Sequence, residues 1–541
     1  MKVHLALSVA LYALALALRW VPLLLSTLPF NVDGFPLAWV SQQIGATGSW
    51  QIRAGDANRY SELMPVYPLV WSAVAQVGGF APLADLQFVM PILTASVVLP
   101  AYLLGVKATR NPLVGFSAGL FAAIFGSFLF VTSAAMKEAV GMVFLPVVVL
   151  LFAERADPRK RALACLLLLI LPFLHQLTDF LALGMIAALV VLRHGRAMAR
   201  GTLSVRALLL DIATGPAWAA VAYAYFVVVA MPDLDVVLAP DALALFLATV
   251  VLLTALFVRV GRPAPRKVGA SLVQPAGPIL LLPVLAFAAI LVNGRMDLFA
   301  GVLQTQPALL SLFPAVAVLV AFAFLGYQLV RRTTNRGGDA LFAMAISPVA
   351  LVVFAFLRGL DPLSQILIYR SFDFLDYALA AFVGIGFVYI WVRLRSSSAA
   401  KLALGAVLVV ALVATTPMAW NSEAVFGVNN VTTPSEFQAL SVLASLHPAN
   451  VTTDQRLAYV AALWFGINAN ATLPFLLQAN QSVSGYAYAV VLDTWSTVGA
   501  QVHPAPNVVL PFHVLAAFLA QHRIVYVEGP PGDRVYIVQL S

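Results

Sequence analysis

Charge is scarce in this sequence, and so is sulfur. Of 541 residues only 10% are charged, 62% are hydrophobic, and the mean hydropathy is +0.94. A soluble domain carries roughly a quarter charged residues, so the shortage excludes an ordinary water-soluble fold. The single cysteine, Cys165, lies inside an apolar run and excludes an intrachain disulfide. It reads as a small lipid- or core-facing residue. No A-x-A-like cleavage site follows the Met-Lys start, which favours a first transmembrane helix over a removable signal peptide. The net charge of +8 sits in short loops between apolar runs, which argues against a nucleic-acid partner.

What is present instead is a succession of runs of about 20 apolar residues, each able to cross a hydrocarbon core of roughly 30 Å. They predict about thirteen transmembrane helices: 4–26, 86–106, 112–133, 140–153, 162–174, 177–192, 207–230, 236–258, 275–292, 307–329, 339–357, 373–392 and 401–418. The short pair 140–153 and 162–174 is expected to be tilted, broken or buried in the bundle. The apolar stretch 66–80 opens on Tyr67-Pro68 and ends at Gly78-Gly79, and reads as an interfacial helix.

Charge asymmetry supports that reading. With the N-terminus inside, one set of loops holds Lys2, Lys107, Arg110, Arg155, Arg159, Lys160, Arg161, Arg193, Arg196, Arg200 and Arg206. The same set continues with Arg259, Arg262, Arg266, Lys267, Arg331, Arg332, Arg336, Arg393, Arg395 and Lys401, which makes 21 of the 31 basic residues. The positive-inside rule then sets the orientation, and thirteen spans place the C-terminus outside. A membrane-crossing 66–80 would invert every later loop and break the bias. The acids fall on the other side: Asp33, Asp56, Glu62, Asp85, Glu138, Asp179, Asp233, Asp235, Asp241, Asp297, Asp361, Asp373 and Asp376. Insertion does not require this enrichment. It is what a reaction site on that face would need, and loop solvation is the bland alternative.

Residues 1–419 are therefore expected to form the membrane domain, and 420–541 a small extracytoplasmic α/β domain. In the latter, Thr433-Pro434-Ser435-Glu436 reads as a capping box with Pro at the first helical position. Phe437, Leu440, Leu443 and Leu446 follow at helical spacing, and 514–521 looks helical. Strands at 524–527 and 535–538 flank the turn Gly529-Pro530-Pro531-Gly532-Asp533. Four sequons, at Asn430, Asn450, Asn470 and Asn480, agree with an exported location.

The polar loop 28–68 is the strongest candidate for chemistry. Asp33 follows the first span, and Phe35, Trp39, Val40 and Ile44 form one apolar face at helical spacing. An amphipathic helix in the interface would hold the carboxylate at headgroup level, where it could take a proton from an acceptor hydroxyl or orient an acceptor amide. The alternative is an aspartate that merely caps that helix. Lys137-Glu138 opens the next outer segment, and could equally be a pair at a helix start. His175-Gln-Leu-Thr178-Asp179 stands between two spans, where ionisable groups are costly. Four residues apart, His175 and Asp179 could be metal ligands or a hydrogen-bonded pair. Arg370 precedes Ser371-Phe372-Asp373, and either it or Arg358 could snorkel at a membrane face.

A first span, an outer loop with an early Asp, an amphipathic helix ending near Gly48, and Tyr67-Pro68-Leu69 before further apolar sequence resemble the GT-C glycosyltransferases. These are integral-membrane enzymes that use polyprenyl-phosphate sugars, among them oligosaccharyltransferase catalytic subunits and protein mannosyltransferases. Thirteen spans with a C-terminal outer domain look most like the oligosaccharyltransferase branch. The resemblance implies sugar transfer from a polyprenyl-phosphate-linked donor to a lipid, glycan or protein acceptor, in a multi-pass membrane enzyme. It puts Asp33 at the first-loop acid, as base or metal ligand. Glu138, ahead of Phe144-Leu-Pro146, matches the second-loop acid. Arg370 matches the arginine set against the lipid phosphate, with Arg358 as its competitor. A divalent cation (Mg or Mn) would be held by Asp33, Glu138, His175 and Asp179.

Two departures qualify the match. Residue 137 is lysine where the family has a second acid, which suggests a metal-independent site with Lys137 on the donor phosphate. The Trp-Trp-Asp-Tyr-Gly run that reads an acceptor sequon is missing, and Trp464-Phe465-Gly466 does not replace it. Monosaccharide transfer fits as well as asparagine-linked glycan transfer. The competing class is a transporter or flippase, which predicts internal repeats and charges near mid-span; neither is clear. A non-enzymatic scaffold would leave the clustered acids unexplained.

Overall fold

The computed structural model describes residues 2–53, 57–225, 228–229, 240–260, 307–331, 335–359, 362–394, 397–421, 425, 431–502 and 507–540. The expected span 275–292, the sequon residue Asn430, and Asp56, Asp233, Asp235, Asp297 and Asp361 lie outside them. So do the basic residues Arg262, Arg266, Lys267, Arg295, Arg332 and Arg395.

The chain is a multi-pass, predominantly helical membrane protein with a small C-terminal sheet. Among the described residues nine helices are long and apolar enough to cross a membrane, or ten if the bent pair Pro112–Ile124 and Gly126–Ser133 counts as one span. The expected 4–26, 86–106 and 177–192 are Lys2–Leu24, Leu86–Thr109 and Gln176–Ala199. The expected 140–153 and 162–174 become Lys137–Ala153 and Pro158–Ile170. Both are too short to count alone, and 275–292 lies outside the described residues, so the count among those residues stays below thirteen. The stretch 66–80 is the short helix Val66–Gly78.

Small residues let the helices approach closely, as packing between membrane helices requires. A Cβ on Gly326 would stand 1.9 Å from the Phe382 carbonyl oxygen, and one on Gly386 2.0 Å from that of Phe322. Helices Pro307–Val330 and Pro362–Arg393 thus cross backbone to backbone. The pair 112–133 bends by 63°. That break orphans carbonyls at the end of Pro112–Ile124, and the buried Arg19 guanidinium takes them up. It donates to the Ala122 oxygen at 3.1 Å, to the Ala123 oxygen at 3.5 Å and to Thr132 Oγ1 at 2.6 Å. The bend carries the chain into the segment that holds Lys137 and Glu138.

The C-terminal sheet has strand order β2-β1-β3-β5-β4. Strands β1 (Val451–Thr452), β2 (Ala469–Asn470) and β3 (Tyr488–Leu492) run parallel, while β4 (Arg523–Glu528) and β5 (Val535–Gln539) form an antiparallel hairpin. The hairpin turns at the expected Gly529–Asp533, and the capping box of Thr433 and Glu436 forms as read. Glu436 also pairs with the buried Arg456, which ties the capped helix Pro434–Ser445 to Gln455–Phe465.

One expectation needs correction. The first-loop helix, Gly34–Thr47, ends at Gly48 as predicted, but it is not spread on the membrane surface. Phe35, Leu37, Ala38, Val40 and Ile44 are buried in protein, against Val66–Gly78 on one side and Gln455–Phe465 on the other. Phe35 belongs to the core of the C-terminal sheet region, 5.9 Å from the Phe437 ring and 6.4 Å from that of Trp464. An apolar stripe reports that a face is covered, and not by what.

Candidate functional site

Three helices begin at one cavity: Gly34–Thr47, Lys137–Ala153 and Gln176–Ala199. Asp33 occupies the cap position of the first, but its backbone is already helical (φ −64°, ψ −15°) and its carboxylate makes no capping bond. The capping alternative is therefore not what the side chain does. The Asn31 carboxamide instead accepts the Asp33 backbone N–H at 2.8 Å, and Asp33 Oδ1 accepts from the Tyr459 hydroxyl at 3.2 Å. Tyr459 comes from the C-terminal helix Gln455–Phe465. Asn58, also in the first loop, donates to the Leu463 carbonyl at 2.9 Å and fastens the same helix over the site.

The cavity encloses about 220 Å³ and is lined by Asp33, Lys137, Glu138, His175 and Arg370, among others. Arg370 forms an ion pair with Glu138 Oε2. The other carboxylate oxygen, Oε1, is buried with no hydrogen-bond partner among the protein atoms. Lys137 Nζ sits 3.8 Å from the centre of the Tyr60 ring and 3.3 Å from Ser61 Oγ. Burial pushes the Lys137 ammonium down to about 7, against the opposing pull of Asp33. Burial also pushes the Glu138 carboxyl up, with Arg370 acting the other way. On the helix that carries Arg370, Pro362–Arg393, the lining residues Leu363, Ile366 and Leu367 form an apolar wall of the same cavity.

Sequence reading thus placed five residues that the fold brings together, and two that it does not. Arg358 stands at the exposed end of Arg336–Arg358 and does not line the cavity. Asp179 is buried one turn inside its helix, away from the lining, with both oxygens lacking a hydrogen-bond partner. The expected His175–Asp179 pair does not form, because His175 precedes the helix in an extended conformation and its Nδ1 bonds Thr178 Oγ1 at 2.9 Å.

The four expected metal ligands therefore do not assemble. Among the described residues no group of three or more His, Cys, Asp or Glu is placed to hold a metal ion. Glu138 is neutralised by Arg370, and the Lys137 amine lines the same cavity as Asp33. This donor set does not fit a divalent cation, which requires several converging oxygen ligands.

Sequence reading missed Tyr60 and Tyr459. Tyr60 lies within the singled-out loop and was findable there as an aromatic partner for a cation. Tyr459 carries no local signal, since it reaches the site from 426 residues away.

No family model matches the chain, and no curated protein matches it in sequence. Solved structures do match. The archaeal oligosaccharyltransferase AglB from Archaeoglobus fulgidus, in complex with an inhibitory peptide and a dolichol-phosphate, aligns with TM-score 0.55 at 12% identity, over 98% of this chain and 74% of that one. An Archaeoglobus fulgidus oligosaccharyltransferase in complex with Zn and sulfate aligns with TM-score 0.55 at 14% identity, over 91% and 68%. The form tethered with an acceptor peptide containing the NVT sequon gives 0.55 at 13% identity, over 99% and 74%. The chain has the GT-C fold. Identity this low speaks to the fold alone, so the chemistry must be argued from the residues of this chain.

Proposed function

We propose that this chain is an integral-membrane glycosyltransferase that moves a sugar from a polyprenyl-phosphate-linked donor to an acceptor at the extracytoplasmic face. One observation carries the reading: a single cavity joins the carboxylates of Asp33 and Glu138 to the cations of Lys137 and Arg370, beside an apolar wall. Three helix N-termini at the cavity add partial positive charge where an anion would sit. The positive-inside bias of the loops supports the orientation. We assign residues 1–419 to the membrane domain, with 28–68 as its catalytic loop, and 420–541 to the outer domain that covers the site through Tyr459.

In this reading the donor phosphate rests against Arg370 and Lys137, and the prenyl chain leaves along Leu363, Ile366 and Leu367. A guanidinium suits the role because it is permanently charged and forks onto phosphate oxygens. Asp33 takes the proton of an acceptor hydroxyl, or holds an acceptor amide, on the opposite side of the sugar. The acceptor atom bonds to the anomeric carbon as the carbon–oxygen bond to phosphate breaks, and the electron pair departs with the polyprenyl phosphate. Lys137 and Arg370 meet the charge that grows on that phosphate. The free oxygen of Glu138 accepts from a sugar hydroxyl. Arg370 and the protonated form of Lys137 stand in the role a metal would fill, so the reaction is assigned to the protein groups alone. The lipid, glycan or protein nature of the acceptor follows from the missing sequon-reading run only as a wider class than asparagine.

The test is purified protein in lipid with a panel of radiolabelled polyprenyl-phosphate sugars, with and without EDTA. Transfer from at least one donor, undiminished by the chelator, is expected. No transfer from any donor sinks the proposal, and transfer abolished by EDTA and restored by Mg or Mn sinks the metal-independent part.

Lys137 adds a pH signature. A lysine that titrates near 7 is half-charged at neutral pH, and a bound phosphate favours its charged form. Affinity for undecaprenyl phosphate is therefore expected to fall between about pH 7 and about pH 9, above the range where a phosphate monoester itself titrates. Lys137→Arg should bind without that slope, because arginine stays charged. An identical slope in both proteins, read by titration calorimetry, would assign the effect elsewhere.

A further inference from the structure

One side-chain amide joins the two outer segments that carry the site. Gln87 is fully buried in the first turn of Leu86–Thr94. Its Oε1 accepts the backbone N–H of Phe30 at 2.8 Å, and its Nε2 donates to the carbonyl of Ser133 at 3.0 Å. Phe30 stands three residues before Asp33, and Ser133 four before Lys137. Ser133 ends the helix Gly126–Ser133, so its carbonyl has no donor within that helix. A second contact lies beside the amide. A Cβ on Gly34 would stand 2.4 Å from Pro29 Cβ and 3.1 Å from Ala135 Cβ, so the two segments already touch. A carboxamide offers a neutral acceptor and a neutral donor from one planar group, and glutamine has a longer reach than asparagine.

We propose that Gln87 is a positioning residue whose amide sets the register of the Asp33 loop against the Lys137–Glu138 segment, and with it the distance between base and phosphate-holding amine. The proposal deepens the glycosyl-transfer reading and rests on it for its catalytic consequence. Its structural consequence, the spacing of Asp33 and Lys137, stands independently. Arg370 belongs to another element, so the donor keeps its main phosphate contact when the register slips.

Two variants of the full chain in lipid nanodiscs test this. Gln87→Met keeps the shape and removes both hydrogen bonds. Gln87→Glu keeps the acceptor and loses the donor until its carboxyl takes up a proton, when one oxygen accepts and one O–H donates as the amide did. Two readouts are taken: kcat and KM with a polyprenyl-phosphate sugar, and competitive acylation of Lys137 followed by mass spectrometry. The second gives the titration midpoint of the amine without any substrate. Gln87→Met is expected to lower kcat about tenfold or more, with KM for the donor nearly unchanged on the acid side of the Lys137 titration, where the amine is charged in both proteins. It should also shift the Lys137 midpoint downward, because the Asp33 charge moves away. Gln87→Glu should recover toward wild type as pH falls. A Gln87→Met protein that melts like wild type, with unchanged kcat and Lys137 midpoint, overturns the proposal; so does Gln87→Glu without recovery. If Gln87→Met does not fold, the Gln87→Glu series decides. If wild type transfers no sugar, the functional reading fails, while the Lys137 midpoints still decide the role of Gln87.

Discussion

Asp33→Asn is expected to lower kcat for sugar transfer by about 10²–10⁴-fold, the usual contribution of a positioned base, with the fold intact. Asparagine has the same shape, and its carbonyl oxygen still accepts from the Tyr459 hydroxyl that now meets Asp33 at 3.2 Å. The carboxylate makes no capping bond to its helix, so no secondary structure depends on it. What disappears is the capacity to take a proton and the negative charge that acts on Lys137. The charge has a second effect. Asp33 opposes the depression of Lys137 that burial causes, so its loss lets the lysine fall further, and donor affinity above neutral pH should weaken with it. The measurements are single-turnover transfer, a thermal melt, and calorimetric binding of undecaprenyl phosphate. Purified Asp33→Asn with full activity would remove Asp33 from the mechanism.

Arg370→Met is expected to weaken binding of the polyprenyl phosphate by roughly 10- to 150-fold, the equivalent of a charge-assisted hydrogen bond worth about 1.5–3 kcal/mol. The same substitution strips Glu138 of its ion-pair partner. A carboxylate buried without its partner is strongly destabilising, on the order of 3–5 kcal/mol when half of a buried pair is removed, unless it takes up a proton. Burial already pushes Glu138 toward the neutral form, so protonation is the expected escape. The double variant Arg370→Met with Glu138→Gln separates the two consequences. It should regain the stability lost in the single variant and none of the donor affinity. Recovery of binding in the double variant would mean that Arg370 serves Glu138 and does not hold phosphate.

Different parts of this reading were legible for different reasons. Span positions came from composition over about 20 residues, because insertion is decided by local hydropathy. The capping box and the hairpin turn were legible because their partners stand within a few residues of each other. Asp33, Lys137, Glu138 and Arg370 were found as charges that apolar surroundings had to justify. The same argument over-reached at Asp179 and Arg358, since depth in the membrane marks a cost and does not say which cavity a side chain meets. It over-reached again at Gly34–Thr47, where periodicity showed a covered face but not that protein, instead of lipid, covers it. The 63° bend at 112–133 was unreadable, because its carbonyls are satisfied by Arg19 from another helix.

The loop 28–68 shows the division most clearly. By itself the sequence determined that the chain is a polytopic membrane protein, that a polar loop after the first span carries an early acid, and that a lysine stands beside Glu138. Each of these depends on residue type and on neighbours close in the chain. Only the tertiary structure decided that Asp33 is held by Tyr459, that Glu138 is paired with Arg370, and that Gln87 bonds both Phe30 and Ser133. These contacts join residues separated by 426, 232, and 57 and 46 positions. Hydropathy places each helix in the membrane but leaves its rotation, bend and neighbours open, and those are settled only when buried polar groups find their partners across the bundle.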